Sequence, residues 1–354
     1  MSVALFRADG SQHLGIGHIR RCTAFARGLE EVDIMSVFVA KDYDQKTNEL
    51  IQRYGYKVET IPRTCNFGED SSLTLKFARE HNASLVVTDL CNVDTLGQLA
   101  EYRRCLQELK NAVKFLITID DLNAILFPSD IVINPNCGAE MMPYDFNQYT
   151  KYLLGPEYFI FHQEFREAAK ANRKIRKYAR NILVTMGGSD LLNLTPRVTK
   201  AVSKLEEVTD LNLCIVLGPG YPDSMKREIE NNLKDSSITY RLMQGTDNMA
   251  ELMLWSDLAI TGGGLTKYEA AVTGTPSIII SQVAHQAELA KEFEKEGTAL
   301  NLGLGTEVSE ENIARAAGNL LRDYTLRIEM SKRGKGLVDG KGVERIISSI
   351  PQEV

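Results

Sequence analysis

The sharpest candidate for chemistry in this chain of 354 residues is a histidine. It closes the run Asp9-Gly10-Ser11-Gln12-His13-Leu14-Gly15-Ile16-Gly17-His18. The run follows a short apolar strand pattern, VALFRAD, and leads into GHIRRCTAFARGLEE, whose apolar spacing predicts a helix starting near His18. Gly15 and Gly17 let a ligand approach the backbone closely, and the first helical amides have no intrahelical partner. The positive end of a helix disfavours imidazolium. His18 is therefore expected to be neutral and able to take a proton, as a general base must. The plainer alternatives are a histidine that caps or packs, on a simple strand-to-helix turn. The third glycine of the dinucleotide fingerprint is missing, because Arg20 and Arg21 stand where a small residue would be needed. That argues against NAD or FAD.

Two further glycine loops follow strand patterns in the second half. Met186-Gly187-Gly188-Ser189-Asp190 comes after NILVTM and suits a turn close to a ligand, or a bare turn. Thr261-Gly262-Gly263-Gly264-Leu265-Thr266 comes after LAIT and opens a helix carrying Lys267-Tyr268-Glu269. A triple glycine before a helix leaves amides free to hold a diphosphate. One turn into that helix, Glu269 can reach two ribose hydroxyls, or can simply complement the helix dipole.

These loops need a scaffold, and strand patterns alternate with helical ones along the whole chain. The first half reads VALFRAD, IMSVFVA, YKVETIP, SLVVTD, VKFLITID and DIVINPN, with helices between most of them. The second reads NILVTM, LNLCIVLG, ITYRLMQ, LAIT, PSIIIS and TALNLG. Short, β-branched, apolar strands joined by helices imply parallel sheets buried on both faces. Helix ends are written plainly: Thr195-Pro196 and Ser309 as starts, Gly274 and Gly297 as stops. The fold class is α/β, with two Rossmann-like, doubly wound domains at residues 1–165 and 181–354. The charged run FHQEFREAAKANRKIRKYAR places a linker at 166–180 and reads as a solvated face. Ligands of open α/β sheets bind at the carboxyl ends of the strands, so a cleft between the two halves is the expected site.

Composition narrows the function class. Hydrophobic residues make up 44%, charged residues 25%, and the formal net charge is −6. That balance disfavours nucleic acid as a partner. No apolar run is long enough to span a bilayer, and MSVALFRADG lacks the character of a signal peptide. A cytoplasmic enzyme with reduced thiols is expected, with no stable membrane insertion. The six cysteines and five histidines are scattered without metal-ligand spacing, so neither a metal nor another cofactor is expected.

Taken together, RADGSQHLGIGHIRR, YFIFHQEFREAAKANRK, MGGSD and TGGGLTKYEA resemble the UDP-sugar hydrolases of pseudaminic acid biosynthesis and the related spore-coat polysaccharide proteins. More distantly, the triple glycine with Glu269, followed by GTPSIII and His285-Gln286, resembles glycosyltransferases of the MurG type. The resemblance spans nearly the whole chain. It implies a GT-B fold with a UDP-sugar held mainly by the C-terminal half. Glu269 would meet the ribose, and the amides of Gly263, Gly264, Leu265 and Thr266 the diphosphate. Gly187, Gly188, Ser189, His285 and Gln286 would complete the substrate site. His18 would activate water to displace UDP from a diacetamido-trideoxy sugar, without a metal. Transfer to an acceptor hydroxyl is the alternative, and a non-catalytic nucleotide-sugar-binding subunit a further one. The chain departs from the hydrolase pattern at Tyr268, where that pattern has asparagine, and at Cys91 or Asn92, where it has tyrosine.

Overall fold

The computed structural model describes residues 2–11, 15–43, 45–90, 95–188, 190–205, 209–218 and 221–354. The predicted site residue Ser189 lies outside the described residues, as do Cys91 and Asn92. The chain forms two compact units, Met1–Gln163 with Lys341–Val354, and Glu164–Gly340.

In the first unit the chain runs through β1 (Ser2–Ala8), α1 (Gly17–Glu30), β2 (Ile34–Lys41), α2 (Gln45–Arg53), β3 (Lys57–Ile61) and α3 (Phe67–Glu80). It continues through β4 (Leu85–Asp89), α4 (Leu99–Ala112), β5 (Phe115–Ile119), β6 (Ile131–Asn134) and β7 (Lys151–Leu154). The strands form one parallel sheet in the order β3-β2-β1-β4-β5-β6-β7. The seventh strand, KYLL, escapes a reading by apolar alternation because it is short and half polar. Apolar clusters line both faces of the sheet, one with Phe6, Phe25 and Phe38, the other with Leu5, Tyr102 and Leu116.

The second unit holds α5 (Gln163–Ala169), β8 (Asn181–Thr185), α6 (Leu194–Ser203), β9 (Asn212–Leu217), α7 (Asp223–Leu233), β10 (Thr239–Gln244) and α8 (Met249–Trp255). Then come β11 (Leu258–Gly262), α9 (Thr266–Val272), β12 (Ser277–Ser281), α10 (Ala284–Lys295), β13 (Ala299–Leu304), α11 (Glu310–Arg322) and α12 (Tyr324–Leu337). Its sheet is parallel too, ordered β10-β9-β8-β11-β12-β13. The strand order therefore reverses once in each sheet, between β1 and β4 and between β8 and β11. These are the switch points where ligands of such sheets bind.

The unit boundaries differ from the expected 1–165 and 181–354. Helix α13 (Gly342–Ile347) returns to the first unit, where Val343 and Ile346 are fully buried in the cluster that holds Phe25. The 166–180 run is not continuously helical; much of it is exposed, as a solvated face should be, but two of its arginines are tied down. Helix α5 ends at Ala169, and two arginines beyond it hold to the rest of the second unit. Arg173 donates to the Met253 and Ser256 carbonyls, and Arg176 to the Trp255 carbonyl and the Asp257 carboxylate. Cations at the carbonyl end of α8 satisfy groups that the helix leaves without partners.

Helix ends follow the sequence in part. Ser309 accepts from the Asn312 amide, as a cap should. Thr195 is not the cap of α6. The Asp190 carboxylate accepts from the amides of Leu194 and Thr195 instead, at 2.8 and 2.7 Å, and a charged acceptor outbids a hydroxyl.

Candidate functional site

At the switch point of the first sheet, β1 runs beside β4 with Ala8 opposite Asp89. The turn after β1 is anchored at both ends. Arg7, 1% exposed, donates to the carboxylates of Asp9 and Asp70. Gly15, at φ +80°, turns the chain so that its carbonyl accepts from Ser11. A side chain at that φ would be strained. Helix α1 then begins at Gly17, and His18 sits in its first turn, half-buried.

His18 Nδ1 lies 2.7 Å from Asp89 Oδ1. The Asp89 side chain is fully buried and also accepts from Arg21 Nε and Nη2, each at 2.6 Å. Arg21 in turn donates to both oxygens of Asp121, at 2.9 and 2.7 Å, and Asn136 Nδ2 donates to Asp121 at 2.9 Å. The result is a chain of charge, His18–Asp89–Arg21–Asp121, laid across the carboxyl ends of β4, β5 and β6.

The electrostatics correct one expectation. The helix terminus does not hold His18 below its ordinary range; its pKa is raised. Burial works against the imidazolium, but the charge and hydrogen bond of Asp89 outweigh it, with Arg21 opposing and Asp121 assisting. Asp89 itself is held well below the usual carboxylate range: burial disfavours its charge, and Arg21 and His18 more than restore it. With Nδ1–H donating to Asp89, the lone pair resides on Nε2. That is the tautomer and orientation a base requires.

At the matching switch point of the second unit, three loops converge beyond β8, β11 and β12. Gln282 joins the first and last: Nε2 donates to the Met186 carbonyl at 3.0 Å, and Oε1 accepts from Leu191 N at 2.6 Å. Gly187 takes φ +88°, and Gly188 is exposed. A side chain at Gly263 would meet Ser281 Oγ at 2.4 Å and Gln286 Cβ at 3.0 Å, so only glycine fits there. Gln286 Oε1 accepts from the backbone of Gln282 at 3.2 Å. Gly264, Leu265, Thr266 and Glu269 are half-buried where α9 begins, while His285 is exposed at the start of α10. The predicted residues Gly187, Gly188, Gly263, Gly264 and Gln286 are thus drawn together.

Sequence reasoning misses several members. Asp89 and Asp121 are legible as acids ending the apolar strands SLVVTD and VKFLITIDD. Arg21 reads in the sequence only as an obstacle to dinucleotide binding. Lys267, 2% exposed, donates to the carbonyls of Gly263 and Gly264. Tyr268, one of the departures, is a core residue packed edge-on to Phe293 at 5.0 Å. Among the described residues no group of three or more His, Cys, Asp or Glu side chains is placed to hold a metal ion. No helix among them is long and apolar enough to cross a membrane.

Comparison with known proteins places this geometry in a family. The chain is 32% identical over 348 residues to the spore coat polysaccharide biosynthesis protein SpsG of Bacillus subtilis, covering 98% of this chain and 96% of that one. It belongs to the SpsG family. The Glycosyltransferase family 28 C-terminal domain matches residues 181–346, which contain all three loops of the second unit. The UDP-2,4-diacetamido-2,4,6-trideoxy-beta-L-altropyranose hydrolase of Campylobacter jejuni is 24% identical over 301 residues, 83% of this SpsG-family chain and 96% of the hydrolase. Among solved structures, MurG of Acinetobacter baumannii superposes with a TM-score of 0.67 at 15% identity, covering 100% of this chain and 99% of its own. Staphylococcus aureus MnaA bound to UDP also superposes, with a TM-score of 0.63 at 15% identity, covering 98% of this chain and 95% of its own. The SpsG-family fold is thus GT-B in type, as expected.

Proposed function

We propose that this chain is a nucleotide-sugar hydrolase that frees UDP from a UDP-linked diacetamido-trideoxy sugar in surface-polysaccharide biosynthesis. The observation that carries the reading is the 2.7 Å pairing of His18 with buried Asp89 at the switch point of the first sheet. The relationship to the Campylobacter hydrolase supports the substrate class and the use of water. In this reading the loops of the second unit hold the nucleotide. The amides from Gly263 to Thr266 face the diphosphate, and Glu269 takes the ribose. Gly187, Gly188, Ser189, His285 and Gln286 border the same ligand.

The chemistry is a displacement at the anomeric carbon. His18 Nε2 takes a proton from water as the oxygen attacks that carbon, and the bond to the diphosphate oxygen breaks. UDP leaves with the bonding pair. Asp89 holds the ring in the tautomer that exposes Nε2 and offsets the imidazolium that forms. Helix-end and loop amides stabilise the charge developing on the diphosphate.

The match to the family 28 domain favours a second reading, transfer of the sugar to an acceptor hydroxyl, with His18 deprotonating an alcohol. One experiment separates them. Purified protein is incubated with a panel of UDP-sugars and UDP release is followed. Release with water alone supports the hydrolase. Release only with an added acceptor makes it a transferase, and binding without release makes it a binding subunit. His18→Ala should bind UDP normally and turn over at least about 10²-fold more slowly.

A further inference from the structure

Resting on the reading of His18 as the base, we propose that Arg21 and Asp121 act as a matched pair of positioning residues that sets the proton affinity of His18 through Asp89. Neither needs to touch substrate.

The geometry is that of a shared clamp. One guanidinium spans two carboxylates, with two donors to Asp89 and two to Asp121. The Arg21 side chain is 6% exposed and that of Asp121 18%, so water screens this chain poorly. Arg21 Nη2 also lies 3.1 Å from His18 Nδ1, the nitrogen that faces Asp89. The groups acting on the ring are Arg21 from its own helix, Asp89 from β4, and Asp121 from the turn after β5. Cys22 adds a weak contact to Asp89 at 3.5 Å.

The signs follow from Coulomb's law. A lone buried Asp89 would bind the imidazolium so tightly that the ring would stay protonated and could not act as a base. Arg21 draws off part of that negative charge and places a cation beside the ring. Unaccompanied, it would leave the dyad with no net attraction for the incoming proton. Asp121 neutralises the excess, and Asn136 fixes Asp121 in place. The base then keeps an orienting carboxylate without being locked in its acid form.

This account predicts opposite responses from two neighbouring substitutions, which a purely structural clamp would not give. The readout is the proton affinity of His18 itself, followed by NMR of its ring Cε1–H across pH, with the resonance assigned by its loss in His18→Asn. Arg21→Gln should raise the midpoint, and Asp121→Asn should lower it, each by about one pH unit, the low end of the range for a nearby charge. Arg21→Lys keeps the charge and should titrate near the parent. Midpoints that move in the same direction, or do not move in folded variants, overturn the proposal. The readout does not depend on turnover, so the proposal can fail while the hydrolase reading stands, and the reverse. In an enzyme that hydrolyses a UDP-sugar, the acid limb of kcat/KM should track the same midpoints.

Discussion

Lys267 Nζ lies 2.7 Å from the carbonyl oxygen of Gly263 and 3.1 Å from that of Gly264. Two of the three carbonyls of the triple glycine are thereby committed to a buried ammonium, which also lies 4.8 Å from the Tyr268 ring centroid. A loop pinned by its carbonyls has its conformation fixed before a ligand arrives, and a cation behind it favours an anion in front.

Lys267→Met should therefore weaken UDP far more than uridine. Losing hydrogen bonds to a charged donor costs about 1.5–3 kcal/mol, which is roughly tenfold or more in Kd if the loop loosens. Calorimetry with both ligands makes the comparison. Equal losses for UDP and uridine would mean that the lysine only supports the fold.

Glu269 is half-buried in the first turn of α9. If it holds the ribose, Glu269→Ala should weaken UDP by about 1–3 kcal/mol, the cost of an abandoned buried hydrogen bond. Glu269→Gln keeps one acceptor and should lose less. Parental UDP affinity in both variants would remove the residue from the nucleotide site.

Much of this architecture is legible in the amino-acid sequence, for physical reasons. The parallel sheets can be read because strands buried on both faces must be apolar throughout, as in SLVVTD and PSIIIS. The glycine loops can be read because positive φ at Gly187 and close packing at Gly263 exclude side chains. The charge chain beyond His18 cannot. His18 and Asp89 are far apart in sequence and meet only through the pairing of β1 with β4. Strand β7 and the return of α13 to the first unit escape notice because neither carries a periodic pattern long enough to stand out. Arg173 and Arg176 look like surface charge in sequence; only the fold shows that the carbonyls of α8 await them.

The pairing of His18 with Asp89 has a pH window. A raised histidine pKa stabilises the fold fully below the ordinary value of about 6.5 and loses that contribution as pH rises through the raised one. A depressed aspartate pKa stabilises above about 3.9 and loses its contribution as pH falls towards the depressed value. The pair should thus contribute most between about pH 4 and 6.5. Urea melts of the parent and His18→Asn should differ most there and converge towards pH 9. Turnover should move the other way, rising as the ring deprotonates above 6.5. A difference in stability that grows towards alkaline pH would contradict the raised value.

The most decisive substitution is Asp89→Asn. It preserves size while replacing an acceptor by an amide that can present a donor to His18 Nδ1. The ring would then carry its proton on Nε2, and the lone pair that should face water would point into the protein. Arg21 would keep Asp121 but lose its charge-assisted bonds to Asp89, so a stability cost of up to about 3–5 kcal/mol is expected. Assays belong well below the unfolding transition. There, UDP affinity should be unchanged, because the loops proposed to hold the nucleotide belong to the second unit. Turnover should fall by about 10²–10⁴, the range for loss of a general base. Raising the pH should not restore it, because the defect is in the tautomer and not in a proton that alkali can remove. A folded Asp89→Asn protein with turnover within about threefold of the parent would leave His18 with no need of its partner, and the dyad would have to be abandoned as the source of the base.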